Sequence, residues 1–186
     1  MKEYKNVLEF KVSDSAVLND KLNLYFGTYN FKQATRKNDS LVYVKRGSFL
    51  DGWKFNPLKW ESKIEINLSE SDKVLIHHYV YNNGALTPIA FSALFNSFLT
   101  NLERFVNHNA DFQKENTKYI NPARIKVLKC YSLILIGVLI GLFFGNILSE
   151  LIGTRLFGYL GIVIGAVTAR KFVNEYWIKK YTPQLR

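Results

Sequence analysis

Residues 130–169 read CYSLILIGVLIGLFFGNILSELIGTRLFGYLGIVIGAVTA. The first run, 130–148, contains no charged residue. At about 1.5 Å rise per residue, a helix of that length crosses a hydrocarbon core of about 30 Å. Gly137, Gly141 and Gly145 recur at every fourth position and share one helix face. The second run, 156–169, repeats the device with Gly161, Gly165 and Ala169. Small residues on one face let helix backbones approach closely in lipid, where packing rather than water exclusion drives association. These six positions are the expected helix-packing residues of a transmembrane helical hairpin over residues 129–178.

The second run has 14 residues, about 21 Å of helix. It reaches across a bilayer if Arg170 and Lys171 snorkel and the helix continues through Phe172, Val173, Tyr176 and Trp177; a re-entrant segment is the alternative. Tyr176, Trp177 and Tyr181 have the composition of an interfacial aromatic belt. A basic tail, 179–186, follows.

The flanks orient the hairpin. Arg124, Lys126 and Lys129 precede the first span, and Arg170, Lys171, Lys179 and Lys180 follow the second. The loop between the spans offers only Glu150 and Arg155. The excess of Lys and Arg on the outer flanks predicts both termini in the cytoplasm, on a multi-pass protein of the cell inner membrane. MKEYKNVLEF has no apolar signal-peptide core, which fits the same orientation. The lone cysteine, Cys130, excludes an intrachain disulfide.

The remaining two thirds is polar and basic. Residues 1–129 carry +6 of the chain's formal charge of +10. NVLEFKV alternates as a strand, with Leu8, Phe10 and Val12 on one face. DSAVLNDKLNLYFG predicts a short helix capped by Ser13 or Asp14 and ended by Gly27. NFKQATR and SLVYVKR predict a hairpin turning at Lys37-Asn38-Asp39. SKIEINL places Ile64, Ile66 and Leu68 on one face, and a turn at Glu70-Ser71-Asp72 leads into the strand KVLIHHYVY. Thr87 and Pro88 then open a helix in which Phe91, Leu94, Phe95, Phe98, Leu102 and Phe105 form an aromatic stripe. The expected fold class is α+β: a small antiparallel sheet with β-α-β4-α order, packed on a long C-terminal helix and followed by the two-helix hairpin. Residues 1–108 would be a cytoplasmic α+β domain, and the polar stretch 109–128, with Pro122, a linker. In topology, residues 5–107 resemble the helix-grip and TBP-like arrangements, in which a curved sheet wraps a long helix.

Chemical signatures are sparse. His77 and His78 are adjacent on a predicted strand, so they point to opposite faces and cannot share a metal. Nucleophile-elbow, phosphate-loop and dinucleotide glycine patterns are absent from the sequence. No catalytic residue, metal site or cofactor is expected, and the chain is read as a non-enzyme. Arg46 to Trp60, RGSFLDGWKFNPLKW, is more suggestive. Its turn signals, Asp51-Gly52 and Asn56-Pro57, put aromatic residues on a loop beside lysines. The segment reads either as a loop folded back to close one end of the core or as a surface in which Trp53, Lys54, Phe55, Lys59 and Trp60 contact a membrane surface or lipid. Around them lie Lys32, Arg36, Lys37, Lys45, Arg46 and Lys63, against Asp39, Asp51 and Glu61. Bases could stack on such aromatics, but the membrane hairpin favours lipid, and nucleic acid is not expected as a partner.

The stretch 137–169, GVLIGLFFGNILSELIGTRLFGYLGIVIGAVTA, resembles the glycine-zipper two-span domains of bacterial envelope proteins. The shared order is a four-spaced glycine run, an Asn after its last glycine (Asn146), a short turn with a basic residue (Arg155), and a second small-residue run. The resemblance implies close packing of the hairpin or oligomerisation. The expected function is a membrane-anchored binding, sensing or scaffolding module. Its expected partners are the lipid bilayer and either further copies of itself or another membrane protein. The alternatives are an oligomeric or pore-forming assembly packed through the glycine faces, and a domain that handles lipid or apolar ligands.

Overall fold

The structure, a computed structural model, describes residues 2–14, 16–37, 40–47, 55–68, 72–82 and 84–177. The chain divides into two compact units, Met1–Arg124 and Ile125–Arg186.

The first unit is α+β. Its elements are β1 (Lys2–Lys11), α1 (Leu18–Thr28), β2 (Lys32–Lys37), β3 (Ser40–Lys45), β4 (Glu61–Leu68), β5 (Lys73–Asn82) and α2 (Ser92–His108). Turns of 3-10 helix occupy Pro57–Lys59 and Pro88–Phe91. The five strands form one antiparallel sheet in the order β1-β5-β4-β3-β2. Alternation sends every second side chain inward. Leu8, Ile76, Ile66 and Leu41 form one cross-strand row, Asn6, His78, Ile64 and Tyr43 the next, and Tyr4, Val80, Ser62 and Lys45 a third.

Aromatic residues of both helices cover this face. Phe98 is wholly buried among Tyr25, Phe26, Tyr29, Phe31 and His78. Phe95 meets Tyr4 and His78. The other face of the sheet carries the ion pairs Lys63–Glu65 at 2.6 Å and Glu9–Lys73 at 3.3 Å.

Several boundaries differ from the sequence expectation. Asp14 does not cap α1; its carboxylate accepts from the Ala16 amide in a turn before the helix begins at Leu18. Gly27 lies within α1, and Asn30 takes the left-handed position (φ 62°) at the C-terminus. There the Phe31 and Asn30 amides donate back to Phe26 and Gly27. Pro88 opens a 3-10 turn, and the α-helix begins only at Ser92. The turns at 38–39 and 70–71 lie outside the described residues.

The stretch 109–128, read from the sequence as a linker, is helical from Phe112 onward. Asn109 (φ 52°) closes α2, and a helix of 41 residues, α3 (Phe112–Ile152), starts three residues later and carries Pro122 in its interior. Its first turns belong to the α+β core. Phe112 packs on Tyr25 and Phe105, each at 4.7 Å between ring centres. Asn116, 1% exposed, donates to the hydroxyls of Tyr25 (2.9 Å) and Tyr29 (2.8 Å) and accepts from Asn101 (2.9 Å). The Tyr25 hydroxyl in turn donates a hydrogen bond to the Phe98 carbonyl.

The second unit contains the rest of α3 and α4 (Leu156–Phe172). Gly153 (φ 75°) turns the chain between them, and the Gly153 and Thr154 amides both return to the Ser149 carbonyl. α4 continues through Arg170 and Lys171, and a turn of π-helix follows over Val173–Trp177. Two stretches are long and apolar enough to cross a membrane, one in Phe112–Ile152 and the other Leu156–Glu175. The 20 residues of the second span about 30 Å. Large apolar side chains on both helices are exposed, Phe143 at 62% and Ile164 at 63%.

Candidate functional site

The α+β unit carries a cavity of about 720 Å³ where β2, β3, the turn after α1 and the Pro57–Lys59 turn converge. β2 bends there, because its register against β3 shifts between Gln33 and Thr35. Lys32, Lys45, Arg46 and Lys59 line the cavity, with Tyr29, Asn30 and Gln33 beside them. Among the described residues the lining contains no carboxylate.

Lys45 is the unusual member. Strand alternation sends Leu41, Tyr43 and Lys45 to the core side of β3, so a lysine takes an inward position and is 8% exposed. Its stem can lie on apolar neighbours while the ammonium finds polar ones. Nζ donates to the Leu58 carbonyl at 2.5 Å and sits 3.9 Å from the centre of the Phe31 ring. The Leu58 segment is itself fixed, because Asn56 caps the 3-10 turn by accepting from the Leu58 amide. The buried charge acts on its surroundings. Burial and, secondarily, the Lys45 charge depress the His78 pKa to about 3. Among the described residues neither ring nitrogen of His78 has a hydrogen-bond partner.

The residues read as possible membrane contacts divide by exposure. Trp60 is 1% exposed and meets Phe91 edge to face at 5.2 Å, so it is a core residue and not a membrane contact. Phe55 is 41% exposed, and Lys59 is exposed at the cavity. Trp53 and Lys54 lie outside the described residues. The basic residues grouped by sequence also divide. Lys32, Lys45, Arg46 and Lys59 converge, whereas Lys63 points to the opposite sheet face and pairs with Glu65. That pairing raises the Lys63 pKa and lowers that of Glu65.

In the hairpin the small residues face each other across α3 and α4. A Cβ built on Gly141 would overlap the Gly161 carbonyl oxygen, and one on Gly161 would overlap that of Gly141. Gly137 faces Ala169 and the Gly165 carbonyl in the same way, and Gly145 faces the Phe157 carbonyl. All six positions singled out from sequence therefore lie on one seam. Gly158 was missed: it adjoins the seam opposite Asn146 and is buried, and its three-residue offset from Gly161 hides it from a search at spacing four. Along the seam runs an apolar groove of about 710 Å³, lined by the seam residues Gly137, Gly141, Gly145, Gly161, Gly165 and Ala169 and edged by Ile140, Phe144, Leu160, Ile164 and Phe172.

His77 and His78 separate to the two faces of β5, half-buried and buried. Among the described residues no three His, Cys, Asp or Glu side chains come together. Comparison with protein-family models, curated proteins and solved structures gives no match for this chain.

Proposed function

We propose that the chain is a membrane-anchored binding module, in which the α3–α4 hairpin holds an α+β recognition unit at an inner-membrane surface and the module performs no catalysis of its own. One observation carries this reading. The glycine faces of the two apolar helices are occupied by each other, while the opposite faces expose large aliphatic and aromatic side chains. A hairpin whose backbones meet along a small-residue seam and whose large apolar side chains turn outward suits lipid. The same pairing supports an intramolecular glycine zipper over a pore assembled through those glycines. The filled core supports a polar recognition site over an apolar cavity, because Phe95, Phe98 and Leu102 have no exposure.

The basic flanks orient the module with both termini in the cytoplasm. The test is cysteine labelling in intact cells with a membrane-impermeant reagent, on a background with Cys130 replaced by alanine. Thr154→Cys should label from outside, and Lys5→Cys only after lysis. Labelling of Lys5→Cys in intact cells would reverse the orientation. Release of the chain from membranes by alkaline carbonate would remove the anchor.

A further inference from the structure

We propose that β1 is a self-association edge, pairing antiparallel with β1 of a second copy of this chain about a two-fold axis through Val7. The pairing concerns the α+β unit alone and holds whether or not the hairpin lies in lipid.

The two edges of the sheet differ. β1 and β2 are its end strands, so each turns a row of backbone N–H and C=O groups away from the sheet. β2 has six residues, its register against β3 shifts between Gln33 and Thr35, and it carries Lys32, Arg36 and Lys37. Shortness, a bulge and basic residues are the usual guards of an exposed edge. β1 has ten residues, keeps one unbroken register against β5 and contains neither proline nor glycine. A straight edge of this length is a template for another strand.

Backbone parity fixes which residues a second strand meets. In an antiparallel ladder, successive residues turn their N–H and C=O groups to alternate sides. The Val7 amide donates to the Asn6 side chain and the Lys11 carbonyl accepts from that of Asn107, both at 2.9 Å. The odd-numbered residues therefore direct their backbone groups to the outer edge. The Asn6 side chain stands where a neighbouring strand's carbonyl would. Tyr4 and Phe10 are buried on the core side, so the odd-numbered side chains lie on the open face, where Val7 is 49% exposed.

Charge then selects the register. Along the open face β1 reads Glu3, Lys5, Val7, Glu9, Lys11: acidic, basic, neutral, acidic, basic. Turned antiparallel about Val7, this row sets Val7 on its own copy, Lys5 on Glu9 and Glu3 on Lys11, and the symmetry makes each charge pair twice. Hydrogen-bonded pairs of this kind hold Cα atoms about 5.5 Å apart, within reach of opposite charges. An axis through Lys5, Asn6, Leu8 or Glu9 opposes like charges instead: Lys5 on Lys5, Glu3 on Glu9, Lys5 on Lys11, Glu9 on Glu9. An axis between residues would set outward-facing backbone groups against inward-facing ones. Glu9 also meets Lys73 at 3.3 Å, and Lys5 lies 5.4 Å over the Tyr79 ring. Both neighbours are on β5, inside the edge. Complementarity lies in the order of signs and needs neither group to give up its β5 partner.

The test uses the full chain in mild detergent, with Cys130 replaced by alanine. Under mild oxidation Val7→Cys should give a disulfide-linked dimer by itself. Lys5→Cys and Glu9→Cys should each stay unlinked alone and crosslink when mixed, because only the mixture brings two thiols to positions about 5.5 Å apart, inside the disulfide range. Sedimentation velocity reads the association without crosslinks. Glu3→Lys should weaken it about tenfold, since two symmetry-related attractions become repulsions. Glu3→Lys combined with Lys11→Glu should restore it. All five open-face positions are exposed, so failure to fold does not mimic failure to pair. A chain monomeric at every concentration overturns the proposal, as does Lys5→Cys crosslinking alone as readily as in the mixture. A dimer unmoved by Glu3→Lys places the contact elsewhere and overturns it equally. In cells, a Val7→Cys thiol that links only to a different protein assigns the edge to a foreign strand and overturns pairing with a second copy.

Discussion

At the residue scale, two buried polar groups decide how the α+β unit behaves. His78 stays neutral in the folded chain down to about pH 3, because burial and the Lys45 charge oppose protonation. In the unfolded chain it takes up a proton near the ordinary histidine value of about 6.5. Between those values the unfolded state binds the extra proton, so this contribution is complete above about pH 6.5 and is lost as pH falls toward 3. His78→Leu should remove that loss, about 2–3 kcal/mol between neutral pH and about pH 4.5. Urea titrations of parent and variant at both pH values measure it, and the difference cancels the carboxylates common to both. Neutral-pH stability should not fall, since no hydrogen-bond partner of either ring nitrogen is orphaned. Asn116 is the opposite case. It closes three hydrogen bonds to Tyr25, Tyr29 and Asn101 in a buried setting. Asn116→Ala strands those groups and should cost about 2–3 kcal/mol in the same titration.

At the element scale, α2 and the α3–α4 seam rest on different physics. The aromatic stripe of α2 is a water-exclusion device. Phe98 has no exposure and touches rings from α1, the turn after it and β5. Phe98→Ala should cost about 3–5 kcal/mol, from lost transfer energy and the cavity left behind; equilibrium unfolding checks it. The seam lacks that driving force, because lipid is as apolar as the side chains. Its stability comes from close backbone contact, which any side chain at Gly141 prevents, since even a Cβ overlaps the Gly161 carbonyl. Gly141→Ile should separate the spans, while Leu142→Ile, one position round the helix, should be mild. Disulfide crosslinking between cysteines placed on the two spans, in detergent, distinguishes them. Equal crosslinking would mean that the seam contributes nothing.

At the scale of the whole molecule, the boundary of the α+β unit falls at Arg124, beyond the end of α2. Residues 1–124 should therefore unfold cooperatively as an isolated fragment. A 1–108 fragment, lacking Phe112 and Asn116, should be less stable by several kcal/mol. Calorimetry of both fragments tests it, with equal stability as the contrary result. Much was legible without the structure. The apolar runs, their four-spaced glycines, the alternation of SKIEINL and the aromatic stripe of 91–105 are local patterns, and hydrophobic burial acts on local periodicity directly. What the sequence could not settle depends on distant chain segments meeting. Trp60 reads either as a residue closing the core or as a membrane contact until Phe91 is seen to cover it. Residues 109–128 read as a polar linker because Phe112 and Asn116 are single buried positions whose partners lie on α1 and α2. The basic cavity reads as scattered lysines until β2, β3 and the Pro57–Lys59 turn bring four of the cations together and the sheet carries Lys63 away. Hydropathy and spacing determined which segments are apolar and how they periodically face. Strand register and helix docking decided which polar residues became neighbours, because charge and hydrogen bonding act between side chains that only the fold makes adjacent.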